Sequence, residues 1–310
     1  MSERTPLRLS GTFLQPFLGA GWTEEQWDAE YSWMKEAGMF QMILQWSADS
    51  QRHTAAYPTS LAAFRQDTRN DVVDCVLRKG MQYGFQTYIG LHLNHDWFSK
   101  YTSDQVWLDQ EADIACALVD DLWSRYGKYK SFTGWYLSFE PDNVNLPAVK
   151  DWDRSIAFYR KVGGRIRALT PEKPIMVAPF FVEGHGQTPE EWGRMWQYIL
   201  QNSPIDIFNL QDGVGAAHAL PEHLPAWFSA TRDAIERVGR PVAFWSDTET
   251  FRTLSGKFVP VEYPYIHQCM ELVEPYVSNF TSFSFNHYMS PQQVDPKYYR
   301  LYRNFVDLNK

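Results

Sequence analysis

Two acids stand where chemistry could be done. Glu140 closes the run Trp135-Tyr136-Leu137-Ser138-Phe139-Glu140 and is followed at once by Pro141. At the alternating period of a strand, Trp135, Leu137 and Phe139 share an apolar face, while Tyr136, Ser138 and Glu140 share the other. Pro141 ends the ladder because it has no N–H to donate. Glu249 closes a second apolar run, residues 241–249, with Asp247 two positions earlier on the same face. A pair of carboxyl groups suits cleavage of an acetal bond. One protonates the leaving oxygen, and the other attacks or stabilises the anomeric carbon. Partial burial of Glu140 beside aromatic residues would raise its pKa, as the acid role requires. Asp247 competes with Glu249 for the second role.

Those acids need a frame. Apolar runs that read as strands fall at residues 7–15, 39–46, 85–91, 133–140, 174–179, 205–211, 241–249 and 280–286. Helical patterns fall at residues 22–38, 68–83, 103–126, 148–169, 188–201, 221–238, 263–276 and 296–308. Thr23 with Gln26 reads as a capping box, Gly38 as a helix stop, and Thr188-Pro189 as a helix start. Eight strand–helix alternations without a composition break, repeat or linker predict one α/β domain over residues 1–310, a single (β/α)8 TIM barrel with a parallel sheet. An open doubly wound sheet would want a Gly-rich phosphate turn after its first strand, where the chain reads Phe13-Leu14-Gln15-Pro16.

In a barrel the strand ends share one rim. Here they supply Gln15, Gln45, Trp46, His92, Asn94, Glu140, the Phe180-Phe181 segment, Gln211, Asp212, Asp247, Glu249, Asn286 and His287, with no Lys or Arg. That is a poor phosphate site and a good one for a polyol, because amides both donate to and accept from hydroxyls. Gln15, Gln45 and Asn286 have no evident packing purpose at the ends of apolar strands. Tyr136, Trp46 and Trp245 are candidate sugar contacts, although a core position is the commoner outcome for a tryptophan. Asp142 and Asn143 are either substrate contacts or turn formers. His92 and Asn94 are either contacts or buried structural groups.

The bulk properties narrow the partners. A net charge of −8 argues against nucleic acid or an anionic membrane. An aromatic content of 16 % exceeds what a core needs and suits a cleft for sugar rings. No apolar run is long enough to span a membrane. The scattered histidines form no ligand set, so no metal and no cofactor are expected. Cys75, Cys116 and Cys269 lie in helical segments without a C-x-x-C pair and read as reduced thiols. Residues 1–10 lack a leader's apolar core. As written the chain reads as cytoplasmic; a leader removed upstream would make it periplasmic or secreted. No feature sets an oligomeric state.

Glu at the ends of the fourth and seventh strands resembles the arrangement in clan A of the retaining glycoside hydrolases. More specifically, Gly11-Thr12-Phe13-Leu14-Gln15, Ile43-Leu44-Gln45-Trp46, Gly134-Trp135-Tyr136 through Glu140, Gln211-Asp212-Gly213-Val214-Gly215 and Asp247-Thr248-Glu249-Thr250-Phe251 resemble a bacterial, glycosidase-like barrel family still called domain of unknown function 4434. The resemblance covers nearly the whole chain. It implies a glycoside hydrolase with Glu140 as acid/base, Glu249 as nucleophile, and a polysaccharide or oligosaccharide substrate. In the clan an Asn that binds the sugar 2-hydroxyl usually precedes the acid/base. Here Phe139 stands there, which passes that contact to Asn94 or Asn143. A non-catalytic carbohydrate-binding barrel for polysaccharide export or sensing is the alternative.

Overall fold

A computed structural model describes residues 7–308. The ends of the 1–310 assignment, and most of the segment examined for a leader, lie outside the described residues. Eight parallel strands form one sheet: β1 (Gly11–Leu14), β2 (Gln41–Leu44), β3 (Gln86–Gly90), β4 (Phe132–Leu137), β5 (Ile175–Val177), β6 (Ile207–Gln211), β7 (Ala243–Glu249) and β8 (Asn279–Phe283). Each pairs with the next in chain order. The two edges meet where Ser10 N–H donates to the Phe280 carbonyl at 2.7 Å and the Ser282 hydroxyl donates to the Gly11 carbonyl at 3.1 Å. The sheet is therefore a nearly closed (β/α)8 barrel, with a helix after every strand: α1 (Glu24–Glu36), α2 (Val72–Tyr83), α3 (Gln105–Tyr126), α4 (Val149–Leu169), α5 (Pro189–Gln201), α6 (Leu224–Glu236), α7 (Tyr263–Val273) and α8 (Lys297–Leu308).

Local chemistry fixes the helix starts. Thr23 and Gln26 form the expected reciprocal cap on α1, and Thr188 and Glu191 form a second on α5. Asp71 and Asp104 cap α2 and α3 by accepting the N–H groups of Asp74 and Trp107. The strands are shorter than their apolar runs, because the flanking residues belong to the connections at their two ends.

Strand parity sorts the core into two. Phe13, Ile43, Tyr88, Tyr136, Met176, Ala178, Ile207 and Trp245 fill the inside of the barrel. Trp135, Leu137 and Phe139 face outward into the larger apolar layer between sheet and helices. Inward residues of alternate strands fill such a barrel as stacked layers. Glu140, in phase with Tyr136, therefore rises above the packed interior. All three cysteines are free thiols on helices, two of them buried. Among the described residues no helix is long and apolar enough to cross a membrane.

Two rim features add to the eight strands and eight helices. Residues 47–64 carry two short strands, Ala48–Asp49 and Thr54–Ala55, which join Arg65–Gln66 and His92–Leu93 in a small sheet fastened to the end of β3. Between β7 and α7 an antiparallel hairpin, Phe251–Leu254 with Lys257–Pro260, turns over Ser255-Gly256. Both turn residues have positive φ, the geometry of a tight two-residue hairpin.

Candidate active site

Glu140 is held from behind. Its carbonyl accepts the Trp97 indole N–H at 3.0 Å, and the Phe139 ring stacks on Trp97 at 4.3 Å. The residue before the acid is thus an anchor on the helix side, and it aims the Glu140 side chain over the barrel. Gln45 Nε2 donates to Glu140 Oε1 at 3.4 Å, and Gln211 also hydrogen-bonds the carboxyl. Burial pushes the Glu140 carboxyl up to about 7 against the pull of those two amides.

Glu249 sits on the opposite wall. Along β7 the inward residues are Trp245, Asp247 and Glu249, rising from the packed interior to the mouth. The turn that follows β6, Asp212-Gly213-Val214-Gly215-Ala216, wraps the Glu249 carboxyl. Ala216 N–H donates to Glu249 Oε2 at 2.7 Å, and Gly215 N–H is a second donor. Gly213 has φ +70°, which lets the turn fold back. A methyl group on Gly215 would lie 2.3 Å from the Phe251 carbonyl oxygen and 3.0 Å from Glu249 Oε2, so only glycine fits. Asp212 is buried beneath, accepting from Val214 N–H at 3.1 Å and Glu249 N–H at 3.3 Å.

The acids repel one another. Burial and the Asp212 charge push Glu249 upward, opposed by its two backbone donors. Burial pushes Asp212 up to about 7. Asp247 is raised as well, by burial and then by Glu249, Asp212 and Glu140. Its Oδ1 is buried without a protein partner among the described residues.

Glu140 and Glu249 open onto one cavity of about 280 Å³. Of the residues expected from the sequence, Gln15, Gln45, Gln211 and Asp247 line it with them. Tyr136 and Trp245 instead lie in the packed interior below, Tyr136 edge-on to Phe13 at 5.2 Å and Trp245 edge-on to Tyr88 at 6.0 Å. Parity put them on the correct face, but they lie one layer deeper than expected. Asp212 supports Glu249 and does not line the cavity.

The other expected contacts are spent on structure. His92 Nε2 lies 2.9 Å from Glu111, and Asn94 Nδ2 donates to the same carboxylate at 3.0 Å and to Ser50 at 2.9 Å. Asp142 caps its own turn, accepting the N–H groups of Val144 and Asn145 at 2.7 and 2.8 Å. Asn143 threads the next rim loop, donating to the carbonyls of Val182, His185 and Gln187 and accepting from Val182 N–H. Both Asn94 and Asn143 are thus engaged within the fold rather than turned to the cavity. β8 ends at Phe283, and the chain turns into a short helix, Phe285–Tyr288. That turn carries Asn286 away from the mouth, where it donates to buried Glu30 at 2.7 Å. Trp46 lines a neighbouring hollow.

Much of the remaining wall is aromatic: Phe180, from the expected rim, and Phe13, Phe98, Phe251, Phe258 and Phe283, which were not singled out, with His218 stacked on Phe180 at 5.3 Å. Ser255-Gly256 between two alternating tetrads was the available signal for the hairpin that brings Phe258. Nothing local marks Phe98 or His218. Among the described residues no group of three or more His, Cys, Asp or Glu side chains is disposed to hold a metal ion.

Residues 9–295 match the family described as Domain of unknown function (DUF4434), so the chain belongs to that family. No curated protein matches it. Its barrel is similar to the crystal structure of a "putative alpha-L-fucosidase" from Bacteroides thetaiotaomicron, with TM-score 0.84 and 23 % identity over 99 % of this chain and 98 % of that one. It is also similar to the endo-beta-1,4-mannanase of Thermotoga petrophila, with TM-score 0.65 and 14 % identity over 99 % and 77 % of the two chains. The intracellular xylanase of Thermoanaerobacterium saccharolyticum follows, with TM-score 0.55 and 14 % identity over 88 % and 84 %. At these identities the likeness establishes the barrel fold, one shared with glycoside hydrolases.

Proposed function

We propose that this DUF4434 barrel is a retaining glycoside hydrolase in which Glu140 is the general acid/base and Glu249 the nucleophile. The observation that carries the reading is that these two carboxyl groups, 109 positions apart in the sequence, open onto one hollow walled by glutamines and phenylalanines and free of Lys and Arg. A neutral sugar ring satisfies such a wall: its hydroxyls pair with the amides, and its C–H faces pack on the rings.

Burial pushes both acids upward, and they differ in their donors. Glu140 has no backbone donor and a carboxyl held neutral up to about pH 7, so it can protonate a leaving oxygen. Glu249 receives two backbone N–H groups, the feature that favours its charged form over Asp247, whose Oδ1 receives none. In the first step Glu249 Oε attacks the anomeric carbon, the glycosidic C–O bond breaks, and the Glu140 proton passes to the departing oxygen. In the second, Glu140 takes a proton from water, the water oxygen replaces Glu249, and both carboxyl groups are restored. Asp247, pushed upward first by burial and then by the acids around it, can donate to a substrate oxygen.

The test is nucleophile rescue. Glu249→Ala should lose at least about 10³-fold of the turnover of an aryl glycoside that the wild type cleaves. Added azide should restore release of the aryl group and yield a glycosyl azide of inverted configuration. Rescue with no azide adduct removes Glu249 from the role. Saturable glycan binding by a wild type that cleaves nothing in a broad panel replaces the enzyme with a binding barrel.

A further inference from the structure

The hollow over Glu140 and Glu249 is small for a ligand site, about 280 Å³. A second hollow of about 410 Å³ adjoins it, bounded by Trp46, Phe17, Asp49, Arg52, Asp67 and His95. Gln15 lines both. A row of aromatic side chains joins them along the rim. Phe283, in the wall of the first hollow, stacks on His287 at 5.7 Å; His287 meets Phe17 edge-on at 5.9 Å; Phe17 lies 6.4 Å from Trp46. Phe17 is 60 % exposed, so a large apolar ring is held in solvent at the junction.

The second hollow is built rather than incidental. Its floor is the small sheet that fastens residues 48–55 to the end of β3, and Asp49 is positioned by accepting Arg52 N–H at 2.9 Å. Its charges define what it can take. Asp49 lies 3.6 Å from Arg52 and Asp67 adds a second carboxylate, so the guanidinium is already matched and an anionic sugar would meet a surplus of negative charge. What remains is an indole face with hydrogen-bonding groups around it, the composition that recognises a neutral pyranose.

We propose that this hollow is a second sugar-binding subsite of the same cleft, and that the substrate is a neutral glycan of several units running from the two glutamates past Gln15 onto Trp46. The inference rests on the glycosidase reading and adds the substrate class to it. The long loop after β2 is then the element that sets chain-length preference.

The experiment uses the full chain carrying Glu140→Gln, which holds glycans without turning them over. Calorimetry measures binding of mono-, tri- and hexasaccharides of β-1,4-mannan, β-1,4-xylan and cellulose, with trigalacturonate as the acidic probe. At least one neutral series should gain affinity about tenfold or more with length. Adding Trp46→Ala, or separately Phe17→Ala, should cut that gain about tenfold, the equivalent of one aromatic contact of about 1.4 kcal/mol. Phe17 is exposed enough that its loss cannot unfold the barrel. Neutral glycans that bind without a length gain, a gain indifferent to both substitutions, or tighter binding of trigalacturonate would each overturn the subsite while leaving the glycosidase reading intact. If nothing in the panel binds and the wild type cleaves none of it, both readings fall together.

Discussion

Glu140→Gln separates the catalytic from the structural consequences of burying an acid. The carboxyl has an ordinary value of 4.5 and is held at about 7 in the fold by desolvation. Below pH 4.5 it is neutral in both folded and unfolded chains and costs nothing. Between 4.5 and about 7 the unfolded chain releases the proton while the folded chain keeps it, so stability falls as pH rises. Above 7 the folded carboxyl is ionised and the full cost, about 3 kcal/mol, is reached. Glutamine has the same shape and no charge, and its oxygen can still accept from Gln45 and Gln211. The variant should therefore match the wild type near pH 4.5 and exceed it above pH 7, by about 4–5 °C in Tm for a chain of this length. Activity should move the other way. The wild-type kcat/KM should decline on the alkaline side with an apparent pKa near 7, where the acid is lost. The variant should lack that limb and be slower by about 10²–10⁴-fold on a glycoside with a poor leaving group. A dinitrophenyl leaving group, which needs no proton, should recover much of the loss in the first step. Thermal unfolding from pH 4.5 to 9 and pH–rate profiles on the two leaving groups are the assays. A variant less stable than the wild type above pH 7 would show that the carboxylate is welcomed charged, and the acid assignment would fail.

Other substitutions probe the supports. Gly215→Ala forces a methyl group against the Phe251 carbonyl and Glu249 Oε2, so it should displace the two backbone donors of Glu249. The expected result is a drop of about 10²-fold in kcat with a far smaller change in KM, read by steady-state kinetics. Asn143→Ala leaves three loop carbonyls and the Val182 N–H without their partner. It should cost about 2–3 kcal/mol in urea unfolding and weaken binding at neighbouring Phe180; an unchanged midpoint would deny the residue its structural role.

The barrel and the two glutamates were legible because they depend on short-range regularities. Period-2 parity put Trp135 and Phe139 outward and Tyr136 and Glu140 inward, a sorting set by backbone geometry whatever the rest of the chain does. Capping at Thr23 and Thr188 is likewise a matter of three or four neighbouring residues. Once eight alternations are counted, the strand-end rule brings Gln15, Gln45, Gln211, Asp247, Glu140 and Glu249 to one mouth. Parity gives the face but not the depth, which is why Tyr136 and Trp245 were expected one layer too high.

The division between cavity-facing and self-satisfying polar residues was decided only by the tertiary structure. His92, Asn94, Asp142, Asn143 and Asn286 have the same side-chain chemistry as the cavity's amides and acids. Each was claimed by a buried backbone group or a distant acid such as Glu111 or Glu30. A rim loop that folds inward must pair its own N–H and C=O groups, and it uses the residue types that bind sugars. Sequence alone thus states which groups can make such bonds. Which partner each one meets depends on where segments up to 256 positions apart come to rest.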